Sequence, residues 1–357
     1  MPIVGDRRAT LIVFLVLCSI LVSLPNIAAV RAAEDSWTSM EPMPTVRAWL
    51  GVAVVDGKIY AIVDTINYEY DPPTNSWTTK TPMPTPRNTF GIAVVENKIY
   101  VIGGSTGDYT YTNVNEVYDP STDTWQTKTS MPTRRSKLCA NVVDGKIYVV
   151  GGGQRTPNDD FDVNEVYDPV TDTWSTKTPM PTGVDYYSSA VVNNKIYIMG
   201  GAVSSTNLNQ IYDPSADTWS FGASLPTGVD SAAAGVSAGD TAKERIFVLG
   251  GKQGLDAVKL NQVYDPETDT WVAGPSMPTA RYGLGVAVVN DSLYAIGGRE
   301  GWVGFPISAA NERYTPADFI PEFPSWTPLL IMLFAVLAVA VIYKRNIHKR
   351  NQRRRNQ

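Results

Sequence analysis

The sequence predicts an all-β fold in which six small sheets stand around a common axis, a six-bladed β-propeller. Three observations predict it. Tryptophans recur at intervals of 40 to 52 residues, each interval holds two apolar runs joined by a tight turn, and most intervals contain a Tyr-Asp-Pro step. Four short strands per repeat at such a period are typical of propeller blades rather than of helical solenoids.

The strands of one blade follow from the pattern of a single repeat. The repeats are marked by Trp37, Trp77, Trp125, Trp174, Trp219 and Trp271. After each comes Met-Pro or Leu-Pro and an apolar stretch such as 91–95, which predicts the first strand, A. A turn such as Asp56-Gly57 leads into strand B, because Asp-Gly between apolar runs is a strong hairpin signal. Strand C ends at Tyr-Asp-Pro, and the next tryptophan lies in strand D.

The Gly-Gly doublet after strand B, the Tyr-Asp-Pro step and the tryptophan at these offsets resemble kelch repeats over residues 34–316. The resemblance implies a kelch propeller. The first tryptophan precedes every A strand, and no tryptophan follows Tyr314. We therefore expect the strand around 36–40 to complete the last blade beside residues 311–314. Blade 1 departs from the pattern, with Val63-Asp64 in place of the glycines.

The N-terminal segment has the layout of a secretory signal peptide. Residues 1–33 contain Arg7 and Arg8, an apolar stretch over 11–24 and small residues around the expected cleavage point after Ala32. A retained N-terminal anchor helix is the alternative.

The C-terminal segment predicts a membrane anchor. A Pro-rich linker over 317–325 precedes 18 uncharged residues, 326–343, which as a helix span about 27 Å, close to the thickness of a bilayer core. The tail, 344–357, carries seven Lys or Arg and no acid, which predicts a cytoplasmic tail and an extracellular propeller. A buried core helix is the alternative.

Pro321-Glu322-Phe323 before the span resembles the PEF-type C-terminal sorting signal of archaeal surface proteins. The 14-residue tail is longer than that resemblance implies, so removal of the anchor by a sorting peptidase stays open.

Composition excludes several kinds of site. The only histidine is His348, and the two cysteines, Cys18 and Cys139, are far apart in the sequence. This excludes histidine-based nucleophilic systems and His- or Cys-rich metal centres, and we expect no cofactor and no metal. Residues 34–343 contain 20 bases and 34 acids, so nucleic acid is not an expected partner.

The candidate ligand-binding residues lie at the mouth of the propeller, where strand A begins. Three positions after the proline stand Arg47, Arg87, Arg135 and Arg281. Blades 4 and 5 have Val184-Asp185 and Val229-Asp230 there, so a basic arc should face an acidic one. In kelch domains that serve as binding modules, arginines at this position contact acidic ligands, so the resemblance implies the same here. Alternatively, each arginine pairs with a neighbouring loop carboxylate. Tyr109 and Trp302, in long B–C loops of the same face, complete the candidate site.

Two functions are compatible with this layout. The first is a membrane-anchored, extracellular recognition module that binds a protein, peptide or glycan through the loop face without chemistry. The alternative is a carbohydrate-active enzyme of the sialic-acid mutarotase or epimerase type, since six-bladed kelch-like propellers include such enzymes. That alternative needs a carboxylate as general acid or base, for which Asp185 and Asp230 are the candidates. Membrane tethering favours recognition.

Overall fold

The computed structural model describes residues 35–107, 110–154, 160–202, 206–237, 243–301 and 306–316, together with Lys344 and Gln352. The chain divides into two compact units, Met1–Asp318 and Phe319–Gln357. The predicted signal peptide, linker and membrane span, and most of the tail, lie outside the described residues. In the part of the chain that is described, no helix has the length and apolarity that crossing a membrane requires.

The first unit is a ring of four-stranded antiparallel sheets. Strand β1 (Ser36–Met40) comes before the first complete blade. Blade 1 contains β2 (Gly51–Val55), β3 (Lys58–Val63), β4 (Ile66–Asp71) and β5 (Ser76–Thr79). Blade 2 contains β6 (Gly91–Val95), β7 (Lys98–Ile102), β8 (Asn115–Asp119) and β9 (Thr124–Lys128). Blade 3 contains β10 (Cys139–Val143), β11 (Lys146–Val150), β12 (Asn164–Asp168) and β13 (Thr173–Thr176).

The other three blades repeat the order A, B, C, D. Blade 4 contains β14 (Ser188–Val192), β15 (Lys195–Met199), β16 (Asn209–Asp213) and β17 (Thr218–Phe221). Blade 5 contains β18 (Ala233–Val236), β19 (Ile246–Leu249), a small hairpin of β20 (Lys252–Gln253) and β21 (Asp256–Ala257), then β22 (Asn261–Asp265) and β23 (Thr270–Ala273). Blade 6 contains β24 (Gly285–Val289), β25 (Ser292–Ile296) and β26 (Asn311–Thr315), with β1 as its fourth strand.

The N-terminal strand closes the ring, as the sequence predicts. β1 pairs with β26, and Trp37 lies opposite Tyr314 with the ring centroids 5.1 Å apart. Trp37 Nε1 donates a hydrogen bond to the carbonyl of Pro275 at 2.9 Å, in the connection that leads into blade 6. The A strands contact one another from blade to blade, including β24 with β2. The six blades therefore form a closed circle.

The hydrophobic core consists of six layers, one between each pair of neighbouring blades. In the layer between blades 2 and 3, Tyr100 and Ile102 of blade 2 pack against Tyr167 of blade 3 and against Met131, which precedes it. These side chains are buried, and burial of their apolar surface holds the two blades together. The tyrosine of Tyr-Asp-Pro and the methionine of Met-Pro thus stabilise the contact between blades.

The tryptophan of each repeat, together with an aspartate in blades 2 to 5 and with Asn75 in blade 1, clamps the connection from the preceding blade. Trp125 Nε1 donates to the carbonyl of Thr81 at 3.0 Å, and the Thr81 amide donates to Asp123 Oδ1 at 2.9 Å. The Tyr118 hydroxyl donates to the same carboxylate at 2.5 Å. Asp123 has φ +54°, so it also forms the turn between strands C and D. These polar residues of the repeat therefore have structural roles.

The glycine doublet forms a second contact between blades. Gly103 has φ +67°, and a Cβ added there would stand 2.7 Å from the carbonyl oxygen of Arg135 in blade 3. The amide of Gly104 donates to that same oxygen at 2.9 Å. In blade 1, Asp64 makes the equivalent bond to the carbonyl of Arg87 at 2.8 Å, with φ +54°. Blade 1 keeps the contact without the glycines.

Candidate functional site

Three of the four predicted ligand-binding arginines are buried inside their blades. Arg87, Arg135 and Arg281 are at most 1% exposed. Their guanidinium groups pair with Glu116, Glu165 and Glu312 on strand C of the same blade. Arg87 also donates to the carbonyls of Val101 and Gly103 at 2.9 and 3.0 Å.

This burial corrects the prediction of a basic arc at the mouth. The three guanidinium groups are not accessible to a ligand, because they are buried against a glutamate of strand C and backbone carbonyls of strand B. The alternative, pairing with a carboxylate, is what the structure shows. The carboxylate comes from strand C rather than from a loop, in an Asn-Glu-Val-Tyr-Asp sequence in blades 2 and 3.

Blades 4 and 5 replace both members of the pair by uncharged residues. Val184 and Val229 stand where the arginines are, and Gln210 and Gln262 stand where the glutamates are. The side-chain amide of Gln210 accepts from the Thr182 amide at 2.9 Å and donates to its carbonyl at 3.0 Å. No charge is left unbalanced at this position in either blade.

Blade 1 keeps the arginine without the glutamate. Tyr68 occupies the position of the glutamate, and its hydroxyl lies 3.2 Å from the hydroxyl of Thr45. Arg47 is half-buried, and its Nη1 donates to the carbonyl of Val46 at 2.8 Å. Its buried Nε has no hydrogen-bond partner. Of the four predicted arginines, Arg47 is the one that stays near the surface of the loop face.

Six residues, one from the start of strand A in each blade, encircle the axis, and we call them the axial ring. The axial ring consists of Trp49, Thr89, Lys137, Tyr186, Ser231 and Gly283. Each amide donates to the carbonyl of the ring residue in the preceding blade, and the N···O distances are 2.7 to 3.3 Å. All six have φ between +50° and +62°. Five are not glycine, so the backbone is strained here.

Aromatic side chains meet over the axial ring. Trp49 of blade 1 and Tyr186 of blade 4 belong to opposite blades, and their ring centroids are 5.0 Å apart. Tyr282 approaches Trp49 edge-on at 5.6 Å. A Cβ on Gly283 would stand 2.9 Å from Cε3 of the Trp49 indole, so the glycine leaves room for the tryptophan. Trp49 and Tyr186 are half-buried.

Two ion pairs flank these aromatic rings. Lys137 Nζ lies 2.7 Å from Asp185 Oδ2 and 4.8 Å from the centroid of Tyr186. Lys252 Nζ lies 3.5 Å from Asp230 Oδ1 and 6.0 Å from the centroid of Tyr282. Burial raises the pKa of Asp185, although the ammonium group of Lys137 acts in the opposite direction.

We call the three aromatic residues and the two ion pairs the mouth cluster. Its members are Trp49, Tyr186, Tyr282, Lys137, Asp185, Lys252 and Asp230. Below them a cavity of about 250 Å³ follows the axis, lined by the beginnings of all six A strands. Among the described residues, no group of three or more Asp, Glu, His or Cys side chains could hold a metal ion.

Sequence reasoning found part of this site. Asp185 and Asp230 lie at the mouth, where they were expected, and their role in ligand binding stays a prediction. Tyr109 and Trp302 lie outside the described residues. Trp49, Lys137 and Tyr186 were missed. The signal was present, because the fifth position after the proline holds six different residues in six otherwise similar repeats.

Comparisons with known proteins agree with this architecture. The chain is similar to the human Kelch repeat and BTB domain-containing protein 13, with 36% identity over 90 residues, 24% of this chain and 19% of that protein. Kelch-like protein terF of Aspergillus terreus is 33% identical over 97 residues, 23% of this chain and 21% of that protein. The matches therefore span about a fifth of these relatives.

The fold has a solved counterpart. The structure of YjhT superposes with a TM-score of 0.66 over 76% of this chain and 95% of that chain, at 18% identity, which shows a shared fold. The predicted six-bladed, kelch-type propeller is confirmed. The family model of the Attractin/LZTR1 beta-propeller matches residues 99–303, more than half of the chain. The chain therefore belongs to the Attractin/LZTR1 beta-propeller family.

Proposed function

We propose that this protein is a recognition module that binds a protein, peptide or glycan through the loop face of its propeller, without chemistry. Kelch-like propellers are typically interaction modules, which supports the proposal. The observation that carries it is the axial ring. Strained backbone is most often kept where function needs it. Here it presents Trp49, Thr89, Lys137, Tyr186 and Ser231, five different side chains, at equivalent positions around one opening.

The other polar residues of the repeat support the same conclusion, because they already make structural contacts. The buried arginines are paired with glutamates, and the Tyr-Asp and Trp groups clamp the connections between blades. These groups cannot bind a ligand without giving up structural contacts. The positions free to vary are those of the axial ring and of the loops around it.

A binding screen with the purified full-length chain tests the proposal. The chain is presented to immobilised glycans and extracellular proteins, and hits are compared with two lysine variants. Lys137→Ala removes a lysine of the mouth cluster. Lys146→Ala is the matched control, because Lys146 also pairs with an aspartate, Asp168 at 3.1 Å, but follows an A–B turn on the opposite face. We expect at least tenfold weaker binding for Lys137→Ala alone. Equal binding by both variants would contradict the loop-face site.

We also propose that the propeller lies outside a membrane to which the C-terminal segment anchors it. The basic n-region, apolar stretch and small residues of 1–33, and the uncharged run and basic tail of 326–357, support this arrangement. Protease added to intact cells should digest the propeller and spare an epitope placed after Gln357. Protection of both would place the propeller inside.

The mutarotase-type alternative is favoured by one observation, the raised pKa of the buried Asp185 carboxyl at the mouth. A buried carboxyl with a raised pKa suits general acid or base chemistry. Exchange between anomers of a panel of sugars, followed by NMR, should exceed the buffer rate and be lost in Asp185→Asn. If no sugar of the panel exchanges faster than in buffer, recognition is the one proposed function that remains.

A further inference from the structure

We propose that the mouth cluster is a subsite for a neutral sugar, stacked on Trp49 and Tyr186 and hydrogen-bonded by the Lys137–Asp185 pair. This inference rests on the proposed recognition function, because it names the class of ligand that the same face binds.

The charges of the mouth cluster are already balanced. Lys137 pairs with Asp185, and Lys252 pairs with Asp230. The side chains of the two aspartates are only 6% and 7% exposed. An anionic ligand that took either lysine would leave a buried carboxylate without its counter-ion, which is strongly unfavourable. The charge balance therefore disfavours an acidic ligand here.

A neutral polyol avoids this cost. An ammonium group has three donor hydrogens and a carboxylate has about four acceptor positions, so the Lys137–Asp185 pair can make hydrogen bonds beyond its internal contact. Sugar hydroxyls both donate and accept. They can bind Lys137 and Asp185 together without separating them.

The aromatic rings supply the apolar part of the site. Trp49 and Tyr186, from opposite blades, meet at 5.0 Å and are both half-buried, so each keeps some accessible ring surface. A small-molecule site typically combines such aromatic surface with a few placed polar groups. The C–H groups on one side of a pyranose can pack on the rings while its hydroxyls reach Lys137 and Asp185.

Saturation-transfer NMR with the full-length chain tests the inference. The probes are glucose, galactose, mannose and N-acetylglucosamine as neutral sugars, and glucuronate and a poly-glutamate peptide as anionic ones. We expect saturation transfer to at least one neutral sugar, and a tenfold or larger increase in its Kd in Trp49→Ala and in Tyr186→Leu. Phe221→Ala is the matched control, because Phe221 is an aromatic residue 58% exposed at the end of β17, and it should leave the Kd unchanged.

Three outcomes would overturn the inference. They are transfer to the anionic probes only, transfer to no sugar at concentrations of tens of millimolar, and undiminished transfer in both mouth variants when their melting temperatures match the parent. An extracellular protein or acidic peptide that binds the loop face with Lys137-dependent affinity, while every sugar fails, would overturn the sugar subsite and leave the recognition function standing.

Discussion

Arg135 shows that the surroundings of a side chain decide its role. In the sequence it is one of four arginines at a repeated position and predicts a contact to an acidic ligand. In the structure it is wholly buried, and Glu165 of the same blade neutralises it. Blades 4 and 5 fill the same space with Val and Gln. The two arrangements are alternative ways to leave no buried charge without a counter-charge.

Blade 3 allows a test of whether the Arg–Glu pair can be replaced by the Val and Gln of blade 4. Arg135→Val alone leaves the Glu165 carboxylate buried without its partner, and we expect the free energy of unfolding to fall by about 3–5 kcal/mol. Adding Glu165→Gln reproduces the arrangement of Val184 and Gln210, so the double variant should recover most of that loss. Urea denaturation of the full chain measures both. A double variant no more stable than the single one would show that the arrangements are not interchangeable.

The clamp aspartates give the molecule a defined response to acid. The hydrogen bond from the Tyr167 hydroxyl, at 2.5 Å, is the largest contribution to holding the pKa of Asp172 below its ordinary value. Because the folded-state pKa is the lower one, the stabilisation is complete above the unfolded pKa of roughly 4 and is lost as pH falls through the folded value.

We therefore expect Asp172→Asn to be less stable than the parent at pH 6, by a difference that narrows as the pH falls below roughly 4. Blade 1 already carries an asparagine, Asn75, in this role, and it accepts from the Tyr70 hydroxyl at 2.6 Å, so the variant should fold. Melting temperatures across this pH range provide the test. A gap that stays constant or widens on acidification would contradict the assignment.

At the level of the blade, the glycine doublet is the element that allows neighbours to approach. We expect Gly103→Ala to destabilise the chain by more than Gly57→Ala, although both glycines have positive φ, +67° and +73°. An alanine at 57 meets nothing within 4 Å and costs about 1–2 kcal/mol for its left-handed backbone alone. At 103 it also meets the Arg135 carbonyl. Equal melting temperatures would show that the contact between the blades relaxes freely.

The closing strand is the other element with a measurable role. Trp37→Ala removes the stacking on Tyr314 and the bond to Pro275, and we expect a loss of about 2 kcal/mol, less than for a fully buried tryptophan. Trp125→Ala is the control, because Trp125 makes the same contacts within blade 2. Limited proteolysis near β1 should accelerate only in Trp37→Ala. Equal cleavage of both variants would mean that the seam is no weaker than any other blade.

At the scale of the whole molecule, most of the fold was predicted from the spacing of the repeats. Blade number, strand order and closure by Ser36–Met40 all followed from the spacing of tryptophans and from Trp37 preceding every A strand. The strand alternation of period two and the turn residues are local properties, so a single sequence contains them. The buried aspartates at the mouth were also placed correctly, since their position within the repeat fixes their face.

The local sequence pattern could not predict which residue pairs with each charged side chain. Arg135 and Glu165 are 30 residues apart, and only the pairing of strands around them shows that they meet. The left-handed backbone of Trp49 and Tyr186 could not be predicted from the sequence either, because neither residue is of a type that is typical of such turns. Both follow from contacts made across a blade or across the axis, which a repeat taken alone does not contain.

The circle of amides that joins Trp49 to Gly283 has a consequence for how this protein can diversify. Every donor and acceptor in it belongs to the main chain, so the width of the aperture does not depend on which side chains stand around it. The side chain that a blade presents at the opening can thus be exchanged on its own, while the frame that supports the other five stays intact.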